Sequence, residues 1–116
     1  REANNKNTTK WLKNNPHVVV WRQILYRTIR KFNKIKESST QKILGYSALD
    51  LKNHIENLFT EGMSWHNWGE WHIDHIIPLN SFDSETPIHI VNSLSNLRPL
   101  WAEENLKRAR KYAKSD

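Results

Sequence analysis

The chain has 116 residues, 37% of them hydrophobic, which suits one compact domain with a modest core and leaves little room for a second. Eighteen lysines and arginines against 12 acidic residues give a formal net charge of +6, favouring a polyanionic partner, nucleic acid before an anionic membrane, although such charge also serves solubility alone. Cysteine is absent, so disulfides and thiolate zinc sites are excluded, and any metal must be held by oxygen and nitrogen ligands.

Residues 1–16 are polar and asparagine-rich, and they read as a flexible N-terminal arm. The first residue is arginine rather than methionine, which reads as a fragment of a longer chain or a processed product. From Val18 to Lys36 the pattern is helical: Trp21, Ile24, Leu25, Ile29, Phe32 and Ile35 fall within an arc of roughly 140°. Val19 and Val20 lie outside that arc, so the helix is expected to start after them. Arg22, Arg27, Arg30, Lys31 and Lys34 occupy the opposite half. That stripe suits either plain solvation or contact with phosphates.

The segment KESSTQK reads as a loop. Ser47, followed three residues later by Asp50, resembles a capping pattern that opens a helix through Leu49, Ile55, Leu58 and Phe59. Gly62 is expected to close it in a left-handed conformation. SWHNWGEW then reads as a tight turn, its tryptophans better suited to packing than to base stacking. A strand is predicted over Trp71–Ile77, with Pro78 ending regular pairing. Residues 80–92 form a long loop, Leu97–Leu100 a second strand, and Ala102–Ala113 a helix. Glu103 and Glu104 in its first turn, with lysines and arginines later, match the helix macrodipole. No apolar run approaches the roughly 20 residues of a membrane span, and no signal-peptide pattern opens the chain.

The stretch WHIDHIIPLNSFD sets a carboxylate beside an imidazole, Asp74 and His75, between isoleucines. Such groups are costly to bury unpaired. A proton acceptor beside a hard oxygen ligand also suits metal-assisted hydrolysis. Alternation puts His72 and Asp74 on one face of the strand and turns His75 toward the side of Ile73. The strand must therefore bend or end for Asp74 and His75 to converge.

WHIDHIIPLNSFD, followed after a variable loop by NLRPLWAEEN, resembles the HNH endonuclease family, whose core is the ββα-metal fold. The residues that match are Asp74 and His75 at the end of the first strand, Asn96 and Leu97 opening the second, and Asn105 nine residues after Asn96. Asparagine at 105 makes this the HNN variant, and the preceding LGYSALDLKNHIENLFTEGMSWHNWG is similar to the leader of phage-encoded members. The resemblance implies an α+β domain over residues 17–116, with a helical leader at 17–62 and a ββα core at 70–114. It further implies divalent-metal-dependent hydrolysis of DNA phosphodiester bonds in the cytoplasm of a bacterial or phage-infected cell.

Under the same resemblance His75 is the general base, Asp74 and Asn105 hold one cation, and Asn96 fixes the loop and orients His75. One carboxylate and one amide oxygen suit Mg²⁺ or Mn²⁺ better than Zn²⁺. Paired CxxC zinc knuckles, common in the family, cannot form here, so the leader helices must brace the fold in place of structural zinc. Candidate DNA contacts are Arg22, Arg27, Arg30 and Lys34 on the first helix, with His72, Arg98, Lys107 and Arg108 nearer the core. Each of these also suits a structural or solvated role. Double-strand cleavage by one metal site per chain would favour a homodimer. The alternative is a DNA-binding module that keeps the fold without catalysis. A basic amphipathic helix on a membrane explains residues 18–36 alone, and no membrane partner is expected.

Overall fold

The computed structural model describes residues 9–114. Of the expected arm, residues 9–14 are helical (α1), and the first eight residues lie outside the described ones. Helix α2 runs Pro16–Lys31 rather than over 18–36. Pro16 stands at its first turn, where a missing N–H costs nothing. Its end is set by Asn33, whose φ of 53° leaves the helical region. Val18, Val20, Ile24, Leu25 and Thr28 are buried on α2, so the valines belong to the core face, whereas Ile35, beyond the helix end, is 82% exposed.

Part of KESSTQK is not loop. Ser39 accepts from the backbone N–H of Lys42 at 3.3 Å and opens α3 (Thr40–Leu44), which Gly45 closes at φ 86°. The Ser47–Asp50 pair forms a reciprocal capping box on α4 (Ala48–Leu58), with bonds of 3.1 and 2.9 Å. That helix ends at Leu58, so Gly62, at φ 89°, serves the turn after it instead of a cap. Trp71 packs edge-on against Phe59 and Trp65, each with ring centroids 5.2 Å away, and its indole N–H donates to Ser64 O at 2.8 Å.

Strand β1 (Trp71–His75) stops two residues before Ile77, and β2 (Leu97–Trp101) pairs with it antiparallel. Between them α5 (Ile88–Val91) and single 3₁₀ turns at Leu79–Ser81 and Leu94–Asn96 occupy the expected long loop. Helix α6 (Ala102–Lys114) follows directly. In the register Asp74 faces Arg98 and Ile73 faces Pro99. Ile76 N donates to Asn96 O, and Ala102 N to Glu70 O, so the even-numbered residues of β1 carry the ladder bonds. Trp71, Ile73 and His75 therefore turn their backbone groups away from β2, and Pro99 sits where no ladder donor is needed.

Val20, Ile24, Leu25, Leu44, Leu51, Ile55, Met63, Trp71, Ile73 and Leu97 form one buried cluster. Leader helices and hairpin thus share a core, tied further by His54 Nε2 at 2.9 Å from Leu97 O. The architecture is α+β, a two-stranded antiparallel sheet packed among helices. Among the described residues no helix is long and apolar enough to cross a membrane.

Candidate active site

Three asparagines and two arginines organise the end of β1. Asn96 is buried and fastens the exit of the strand: its Oδ1 accepts from Ile77 N at 2.7 Å, and its Nδ2 donates to Val91 O at 2.9 Å and Ile77 O at 3.2 Å. These bonds hold the exit of β1 against the turn that follows Val91. Asn96 has no contact with the imidazole of His75, whose orientation depends on Asn92.

His75 Nε2 lies 2.6 Å from Asn92 Oδ1, Asn92 Nδ2 donates to Thr28 Oγ1 at 2.8 Å, and Thr28 Oγ1 donates to Ile24 O at 3.0 Å. The directions of these bonds fix the tautomer. Thr28 has one hydroxyl hydrogen, already given to Ile24, so toward Asn92 it can only accept. The Asn92 amide then faces Thr28 with its nitrogen and His75 with its oxygen, and His75 must carry its proton on Nε2. The neutral ring keeps its lone pair on Nδ1. Tyr46 adds a fourth element by donating its hydroxyl to Asn92 O at 2.7 Å. Burial lowers the His75 pKa below its ordinary value, helped by Arg27 and Arg108; the Asn92 bond and Asp74 oppose this without reversing it. A lowered pKa keeps the ring neutral and able to accept a proton.

Asp74 points elsewhere. Its Oδ2 accepts from Arg98 Nε at 2.9 Å and its Oδ1 from Arg108 Nη1 at 2.5 Å. Arg108 also donates to His75 O at 2.8 Å and to Ile76 O, clamping the strand end onto α6. Arg98 and Arg108, read from sequence as candidate phosphate contacts, are thus engaged by the carboxylate. On the same side of β1 as Asp74, Asn105 Nδ2 lies 3.3 Å from His72 Nδ1. With its nitrogen turned to His72, Asn105 leaves its amide oxygen available as a ligand. Asp74 and Asn105 each carry hard oxygen donors of the kind a small divalent cation accepts, those of Asp74 being taken up by the two guanidinium groups. Among the described residues no three His, Cys, Asp or Glu side chains gather into a metal cluster.

Of the remaining candidates, Arg22, Arg27 and Arg30 are exposed on α2 and Lys34 is half-buried just after it. Lys107 is exposed and 3.6 Å from Glu103, a contact worth little at such exposure. The sequence reading missed Asn92 and Thr28. A signal existed for Thr28, the one polar residue on the buried face of α2, which had to find a partner. Asn92 carried none, being one of several Asn and Ser residues around a turn.

Over 90 residues the chain is 39% identical to an uncharacterized protein of Acanthamoeba polyphaga mimivirus, covering 72% of this chain and 39% of that protein. The chain therefore spans about two fifths of the length of the curated relative it matches. No family model matches the sequence, and no solved structure matches it significantly.

Proposed function

We propose that the chain carries an HNH-type nuclease domain of the ββα-metal class, hydrolysing DNA phosphodiester bonds with a divalent cation. The observation that supports this best is the strand end itself. There His75 holds Nε2–H against a buried acceptor and keeps a basic Nδ1, while Asp74 of the same strand and Asn105 of α6 carry oxygen donors.

In this reading His75 Nδ1 takes a proton from water as that water attacks phosphorus, and the bond to the 3′ oxygen breaks. The products carry 5′-phosphate and 3′-hydroxyl ends. Asp74 and Asn105 would hold one Mg²⁺ or Mn²⁺, which would supply positive charge against that developing in the transition state. Asn96 keeps the strand exit in place, and Asn92 keeps the ring turned. The exposed arginines of α2 grip the backbone without reading bases, so cutting is weakly specific and sensitive to salt.

A second reading is a DNA-binding module without catalysis. Both carboxylate oxygens of Asp74 accept from guanidinium groups, and a cation has to displace at least one of them. Nicking of supercoiled plasmid separates the two. The nuclease reading expects nicking with Mg²⁺ or Mn²⁺, little with Zn²⁺, none with EDTA, and none from His75→Ala with any metal. DNA binding in a gel shift with no cutting by the unaltered chain would leave the module.

A further inference from the structure

Beside the candidate active site a half-open cleft of about 240 Å³ lies between α2 and β1. It is lined by Trp71, His72 and Ile73, three consecutive strand residues, and by no residue of β2, so it runs along the free edge of β1. There Trp71 and Ile73 present the backbone N–H and C=O groups they do not give to the ladder. Opposite stand Gln23 and Arg27 of α2, with the Trp68 ring at one side. Neither the Gln23 nor the Arg27 side chain has a hydrogen-bond or ion-pair partner among the described residues. The Arg27 side chain reaches solvent, yet burial of part of it and the nearby Arg30 lower its pKa below the ordinary value, as expected where a counter-charge is missing.

The chemistry on offer is specific. A strand edge and an amide supply donors and acceptors in alternation, an indole supplies a flat apolar face, and a guanidinium supplies positive charge. A nucleotide presents the complement of each: a polar base edge, a base face and a phosphate. A peptide strand added to the edge would have only Trp71–Ile73 to pair with before meeting Trp68, a short run for that mode. Arg27 of the cleft also acts electrostatically on His75, so its occupant lies beside that imidazole.

We propose that this cleft binds one unpaired nucleotide of the nucleic-acid substrate, its base against Trp68 and the edge of β1 and its phosphate on Arg27. The proposal deepens the nuclease reading by naming the substrate class: nucleic acid with a nucleotide out of the stack beside the scissile bond, rather than continuous duplex.

The test is metal-free binding, measured by anisotropy in EDTA, to two duplexes that differ by a single bulged nucleotide. The full chain is expected to bind the bulged duplex about tenfold more tightly, the order of effect of stacking one base on an aromatic ring. 2-Aminopurine at the bulge should be quenched on binding. Gln23→Ala, an exposed position on α2, and Trp68→Ala, checked for fold by circular dichroism, should each cut the preference below threefold while the paired duplex binds as before. Equal affinity for the two duplexes, or a preference that survives both substitutions, would overturn the proposal. The two readings fail separately. Nicking without bulge preference keeps the nuclease and removes the cleft, whereas bulge preference without nicking does the reverse.

Discussion

Asn92 has one amide oxygen and one amide nitrogen to offer, and both are used inside the protein, toward His75 and toward Thr28. Replacing Thr28 with valine keeps the shape and removes the hydroxyl, which leaves the Asn92 nitrogen buried without an acceptor. The expected cost is about 1–3 kcal/mol of stability. The amide also becomes free to turn, so the His75 tautomer is no longer imposed. Long-range ¹H–¹⁵N correlation spectra should show His75 as the Nε2–H tautomer in the unaltered chain and as a mixture in Thr28→Val. An unchanged tautomer would mean that the ring is oriented by something else. Tyr46, which donates to the backbone oxygen of the same asparagine, gives a pH dependence. Burial raises its pKa above the ordinary 10, so the folded state keeps a proton that the unfolded chain releases. Unfolding is then favoured as pH rises past 10, and stability should fall there. Tyr46→Phe should cost about 1 kcal/mol at neutral pH and show a shallower loss between pH 10 and 12 in urea melts. Parallel curves would remove Tyr46 as the cause.

At the scale of elements, one side chain ties α6 to β1 with several bonds, beside the Asn105–His72 contact. Arg108, with a side chain only 20% exposed, bridges Asp74 to the carbonyls of His75 and Ile76. Arg98, at 40%, meets Asp74 across the strand pair from a wetter position. Removing Arg108 takes a donor from the part-buried His75 carbonyl, from the Ile76 carbonyl and from Asp74 at once, whereas removing Arg98 takes one bond from a carboxylate that keeps its other partner. Arg108→Ala should therefore cost about 2 kcal/mol, and Arg98→Ala about 1 kcal/mol or less. Because a guanidinium and a cation compete for the same oxygens, Arg98→Ala should also tighten Mn²⁺ binding in calorimetry. Equal destabilisation by the two, with no gain in Mn²⁺ affinity, would show that the pairs are not ordered as described. The contrast also shows how far sequence reading reaches. Asp74 was legible because a carboxylate between isoleucines must have a reason to be there, and the Ser47–Asp50 box because its partners are three residues apart. Arg108 was read as a candidate DNA contact alongside Lys107, since on a helix carrying Lys107, Arg108, Arg110 and Lys111 nothing local marks which cation turns toward Asp74. Position does mark it: three residues after Asn105, it shares that residue's side of α6. The pairing of Asn92 with Thr28 joins positions 64 apart, and no periodicity within either segment reports such a contact. Element ends failed for similar reasons. The apolar arc of α2 continues to Ile35, but the chain turns at Asn33, and a hydrophobic pattern carries no record of one residue's positive φ.

The molecule as a whole has no cysteine to staple it and a sheet of only two strands, so the hairpin and α6 cannot bury enough apolar surface alone. What the hairpin contributes to the core, Trp71, Ile73 and Leu97, is covered by Val20, Ile24 and Leu25 of α2, Leu44 of α3, and Leu51 and Ile55 of α4. The leader also supplies Thr28 to the relay behind His75 and His54 to the backbone of β2. The setting of His75 and the fold therefore depend on the same helices. A fragment containing only residues 63–116 keeps Asp74, His75, Asn96 and Asn105 but loses every core partner from α2 to α4. Its expected state is unfolded: circular dichroism without the minima of a stable helix, amide proton shifts collapsed into the random-coil range, and no nicking with Mg²⁺. Adding Mg²⁺ should not rescue it, because one carboxylate and one amide bind that ion weakly beside the solvating water it already holds. If the fragment folds and nicks, the leader is an appendage and Thr28 has no part in holding His75. If it folds only when residues 9–62 are supplied as a separate chain, the shared core is what the leader provides, and Thr28→Val in that second chain should reproduce the tautomer change of the intact protein.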